Sequence, residues 1–149
     1  MSPLRRAVAA LALLALAGLL AACAPIVALT PAADAARLPD ELAGLPGRET
    51  NAQATGAWGE PTAIVLHCGV AVPAPTAELP CYTIDGIDWL VDDTDAPTYV
   101  LTTYGRDPAV SVAMDSTVVA SSTVLDELSG AVSWLPENGQ ACVSVEDLP

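Results

Sequence analysis

The chain has no lysine, no phenylalanine and one histidine, and its five arginines face 18 Asp and Glu over 149 residues. Nucleic-acid binding needs a basic patch to displace counterions, and no such patch can be assembled here. The same balance removes electrostatic attraction to anionic lipid head groups, so any membrane attachment has to come from apolar chains. With one imidazole, every Ser-His-Asp or Cys-His relay would have to pass through His67. His67 sits inside an apolar, strand-like run beside Cys68, where histidines are more often structural. The four cysteines contain no Cys-x-x-Cys spacing, which disfavours a metal site, and no metal or other cofactor is expected. Aromatics make up 4% of the chain, too few for an aromatic-lined sugar cleft.

What is present starts with a targeting pattern. Arg5 and Arg6 form a basic leader, residues 7–20 are uncharged and rich in Leu and Ala, and Leu20-Ala21-Ala22-Cys23 follows. This is the anatomy of a secretory signal over residues 1–22. The last four residues have the form of a lipobox, in which Cys23 takes diacylglycerol on its sulfur and becomes the mature N-terminus. An uncleaved membrane span is the competing reading, since residues 7–29 carry no charge and could cross ~30 Å. Pro25 and the falling Leu density argue against it. Either reading puts the rest of the chain on the extracytoplasmic face of the membrane, with the Arg pair inside. The cations left there are Arg37, Arg48 and Arg106.

Residues 23–56 read as a lipidated tether rich in Ala, Pro and Thr, and residues 57–149 as one small globular domain. Inside the tether, Leu38-Pro39-Asp40-Glu41-Leu42-Ala43-Gly44 suggests a helical turn. Pro39 suits its first position, the acids suit its N-terminal dipole and Gly44 suits its end. In the domain, Trp58-Gly59-Glu60-Pro61 opens on a turn signal, and the apolar run after it, closing on Leu66-His67-Cys68-Gly69-Val70, predicts a buried strand. Extended runs follow at residues 81–85, 87–91, 98–104 and 109–114, with turn signals about every ten residues. The period then changes: Val124, Leu125, Leu128, Ala131, Val132 and Leu135 share one helical face, predicting a helix over 122–134. The expected class is α+β, a small antiparallel sheet of about four strands with this C-terminal helix packed on one face.

Cys68, Cys81 and Cys142 face an oxidising compartment, so one disulfide is expected. Three pairings are open, and Cys68 with Cys81, closest in sequence, is the favoured one at about 3 kcal/mol for a short loop. Asp85, Asp88, Asp92, Asp93 and Asp95 form the densest acidic cluster, whose spacing does not match a calcium loop. Trp58, Trp89 and Trp134 are the large apolar anchors, either core or, where at least one is exposed, a binding platform. Arg106 follows a Gly turn and can hold a carboxylate through two parallel bonds, either tying strand ends together, with Glu60 and Asp88 as candidate partners, or holding an anionic ligand group at the surface.

Taken in order, Trp58-Gly59-Glu60-Pro61, Leu66-His67-Cys68-Gly69-Val70, Gly86-Ile87-Asp88-Trp89-Leu90 and Gly105-Arg106 resemble the domain of unknown function 3515 family. Its members are uncharacterised actinobacterial exported or lipid-anchored proteins. The likeness covers about residues 38–135, and only the ordered set is specific. It implies export and a Cys68–Cys81 bridge, and assigns no reaction. Where the family pattern has Arg, this chain has His67, so a role resting on a cation there is not carried over.

The function expected from these features is a membrane-anchored envelope lipoprotein with no catalytic residues of its own. It would bind an envelope protein or cell-wall component. The alternative is a surface-tethered hydrolase using the acidic cluster. Mass spectrometry of protein from its native host should find a mature N-terminus at an acylated Cys23. A chain beginning at Met1, or an unmodified Cys23, would contradict the anchor.

Overall fold

The computed structural model describes residues 37–143, so the signal segment, Cys23 and the tether up to residue 36 lie outside the described residues. Strands β1 (Glu41–Leu42), β2 (Leu45–Arg48), β3 (Thr55–Trp58) and β4 (Ile64–Val70) form a first antiparallel meander. Strands β5 (Cys81–Ile84), β6 (Ile87–Asp92), β7 (Thr98–Tyr104) and β8 (Ala109–Asp115) form a second. Pairing of β4 with β8 joins the two into one eight-stranded sheet, ordered β1-β2-β3-β4-β8-β7-β6-β5. Helix α1 (Ser121–Val132) follows. It is 12 residues long, and no helix among the described residues is long and apolar enough to cross a membrane.

The expectation of about four strands is therefore corrected to eight. The added strands come from the segment read as tether and from the turn signal ahead of the first expected strand. Where a helical turn was expected over 38–44, residues 41–48 form a β-hairpin. Leu42 pairs with Leu45 across Ala43 and Gly44, both at positive φ. That is the two-residue turn whose twist matches a hairpin. Trp58 closes β3, and residues 59–63 turn the chain into β4, which is the expected strand after the turn signal. The globular unit accordingly begins at least as early as residue 38, ahead of the expected boundary at residue 57. Gly86, which separates two of the expected extended runs, forms a two-residue hairpin turn with Asp85 and pairs Ile84 with Ile87.

One face of the sheet carries Leu66, Ile87, Trp89, Leu101, Val112 and Met114, all buried. Against it lie Val124, Leu125, Leu128 and Val132 of α1, with Leu135 just beyond. The i, i+1, i+4, i+8 spacing puts the four helical residues on one stripe. The helix touches both ends of the sheet, near β1 and near β5, so the sheet curls around it. The Ala43 N–H donates to Glu127 Oε2 at 2.7 Å and ties the β1 end to the helix. Ala120 is the N-cap and contributes no side-chain bond. The helix relies on the burial of its apolar stripe, at roughly 25 cal/mol per Å² removed from water.

Candidate functional site

After α1 the chain does not leave the domain. Residues 133–143 run back across the β5–β6–β7 end of the sheet as a strap. Asp107 N–H donates to Pro136 O, and Asn138 N–H donates to Gly105 O, at 3.0 and 2.9 Å. The strap passes so close to Gly105 that a Cβ there would overlap the Gln140 carbonyl oxygen, and Gly105 also has φ +82°. Only glycine meets both demands.

Arg106 fixes the root of the strap. The residue is only 8% exposed. Nη1 donates to Leu135 O at 2.8 Å and, more weakly, to Ser133 O at 3.5 Å, while Nη2 pairs with Glu137 Oε1 at 3.3 Å. These carbonyls lie at the C-terminal end of α1, where unsatisfied oxygens and the helix dipole favour a cation. The expected carboxylate partners are replaced. Glu60 pairs with Arg48 at 3.5 Å, and Asp88 serves the far end of the strap. Asp88 Oδ2 accepts the Cys142 N–H at 2.7 Å, and its Oδ1 accepts the Thr83 hydroxyl at 2.6 Å.

The disulfide joins Cys81 to Cys142, with Cα atoms 5.6 Å apart, in place of the expected Cys68–Cys81 pair. Cys68 is on β4 and Cys81 on β5, four places away in the sheet order. At ~4.8 Å per strand that is roughly 19 Å, far beyond disulfide reach. Nearness in sequence was misleading because residues 71–80 carry the chain across the sheet to its opposite edge. The covalent bond thus closes the strap onto β5.

Between the strap and the Pro-rich residues 71–80 lies an open cleft of about 530 Å³ lined by Pro75, Leu79, Leu90, Tyr104, the disulfide and Val143. A second hollow of about 330 Å³ adjoins it through Tyr104 and Ala141 and is more polar, with Asp88, Arg106, Glu137 and Gln140 on its walls. The strap is the common wall of both.

The other singled-out residues are placed as follows. Trp58 is buried, and its indole N–H donates to Pro39 O at 3.0 Å, holding residues 38–40 against β3. Trp89 is fully buried on the helix side of β6, and its N–H has no hydrogen-bond partner among the described residues. His67 is exposed on β4, away from the strap. The acidic cluster is split by the length of β6, with Asp85 and Asp88 at one end and Asp92, Asp93 and Asp95 at the other. Hydrogen bonds from the Thr94 side chain and N–H hold the Asp92 carboxyl below its ordinary pKa, as a turn-capping residue. Among the described residues no group of three His, Cys, Asp or Glu could hold a metal ion. The sequence reading missed Glu137 and the whole strap. The signal available was Pro136 and Gly139, which turn the chain just after the helical stripe.

Loss of the Arg106 fork removes charge-assisted bonds and leaves buried carbonyls unpaired, so Arg106→Ala should destabilise the domain by about 2–3 kcal/mol in urea unfolding. Arg106→Lys should recover little of it, because one ammonium cannot span Leu135 O and Glu137 together. A variant as stable as the parent would contradict the assignment.

Against known proteins, no curated protein and no solved structure matches this chain. Residues 8–139 match the family described as protein of unknown function, DUF3515. The match covers most of the 149 residues, including the described motifs and the root of the strap. The chain belongs to the DUF3515 family.

Proposed function

We propose that this protein is a lipoprotein held to the extracytoplasmic face of the membrane through Cys23, and that its domain is a non-catalytic module binding another envelope component. The actinobacterial setting, export and acylation come from the family resemblance and the targeting pattern of residues 1–23. The binding role rests on one observation: residues of the two later motifs, Gly86–Leu90 and Gly105-Arg106, help to build a walled cleft. Gly105 admits the strap, Arg106 roots it, and Asp88 and Cys142 fasten its end. Gly86 turns β5 back onto β6, so that Cys81 meets the strap's cysteine. Asp88, which the hydrolase reading would use, has both carboxylate oxygens engaged by Thr83 and Cys142. A preformed, largely apolar concavity with a few polar groups beside it is what a recognition site requires.

Photo-crosslinking in native cells checks this. A benzophenone amino acid replacing Leu79, in the cleft wall, should trap one discrete partner band. The same group at His67, exposed on β4, should trap none. Equal crosslinking from both positions, or none from Leu79 at normal protein abundance, would contradict the cleft as the binding site.

A further inference from the structure

The two edges of the sheet are finished differently. At one, β1 is two residues long and its turn is bonded to the helix through Glu127. At the other, β5 pairs with β6 alone. In an antiparallel ladder alternate residues bond inward and outward. Ile84 and Ile87 flank the two-residue turn and so form an inward-bonded pair, which makes Tyr82 inward-bonded as well. The bond from Val91 N–H to Pro80 O at 3.0 Å has the same phase. The N–H and C=O of Cys81 and Thr83 therefore point away from the sheet. No described residue bonds to them. Tyr82 is 56% exposed and Thr83 is exposed, so α1 does not cover this edge.

Each face beside that edge has a hollow. On the outer side is the strap cleft, which reaches Cys81. On the inner side a cleft of about 350 Å³ is lined by Tyr82, Ile84, Asp93, Tyr99, Ser122 and Leu125. A strand added to β5 would send alternate side chains into the two hollows.

Charge selects the occupant. Glu78 precedes β5, Asp85 follows it and Asp93 lies in the inner cleft, all exposed. None is ion-paired among the described residues. The described arginines are engaged elsewhere: Arg37 over the Trp134 ring, Arg48 with Glu60, and Arg106 with Glu137. Exposed edges are commonly guarded by lysine, and this chain has none. We propose that β5 receives an extended, Lys- or Arg-bearing segment of a partner protein as an additional strand. This rests on the binding-module reading and narrows its partner class.

The test is hydrogen exchange of the mature protein with a synthetic Lys-Val-Lys-Val-Lys-Val peptide. The amides of Cys81 and Thr83 should exchange at least about tenfold more slowly when the peptide is present. The protection should weaken as salt rises, because exposed charges are screened. A Glu-Val repeat and a backbone N-methylated Lys-Val peptide should give none. Thr83→Pro deletes an outward donor without a ladder bond, so it should abolish protection of Cys81 with the circular dichroism spectrum unchanged. Because it also removes the Thr83–Asp88 bond, the triple variant Glu78→Gln, Asp85→Asn, Asp93→Asn serves beside it and should cut protection severalfold with the fold intact. Absence of protection at β5, or equal protection by the Glu-Val peptide, overturns the proposal. If Leu79 still crosslinks a partner in that event, the binding module stands and only its strand-addition mode fails.

Discussion

A guanidinium that is almost wholly out of water has to be neutralised and fully bonded, and in this protein that demand falls on Arg106. It meets the demand with the carbonyls of Ser133 and Leu135 and the carboxylate of Glu137. Those three groups belong to the end of α1 and the first residues after it. The interaction therefore decides where the helix stops and in which direction the chain departs. Because Arg106 sits just beyond β7, the departure is back across the sheet, and Cys142 is delivered to Cys81. A lysine at this place would supply charge without the fork, and an apolar residue would leave the carbonyls unpaired.

How much of this was legible in the sequence depended on the range of the interactions involved. Segments 81–84, 87–92, 98–104 and 109–115 alternate or run apolar between Gly, Pro and Asp turns, and such local patterns place strands directly. The helical stripe of Val124, Leu125, Leu128 and Val132 was equally local. The β1–β2 hairpin was hidden because its turn is Ala43-Gly44 and lacks the Asn-Gly or Asp-Gly signal. Its strands are also short, and Pro39 and the neighbouring acids imitate a helix start. The strap and the disulfide were hidden for another reason. Both depend on which strands become neighbours, and pairing of β4 with β8 separates two cysteines that the sequence puts close together.

The same topology explains how a small domain without lysine or phenylalanine forms a walled cleft. Two meanders joined through their last strands leave β1 and β5 at opposite edges, and the helix under the curl supplies the core for both. Ile87 and Trp89 of the second meander pack in that core, while other residues shape one end: a glycine for close approach, a buried arginine, an aspartate with two donors and a cysteine. Their chemistry could suggest catalysis when read one residue at a time. Together they are fastenings, and what they fasten is the wall of a cleft beside an open strand edge.

Hydrogen exchange on a Cys81→Ser, Cys142→Ser double variant of the mature protein tests this most directly. If the strap is a separately fastened wall, exchange should accelerate in residues 75–84 and 133–143 while the β3–β4–β8 ladder keeps its protection. Unchanged exchange in residues 133–143, or acceleration spread evenly through the β4–β8 pairing, would contradict it.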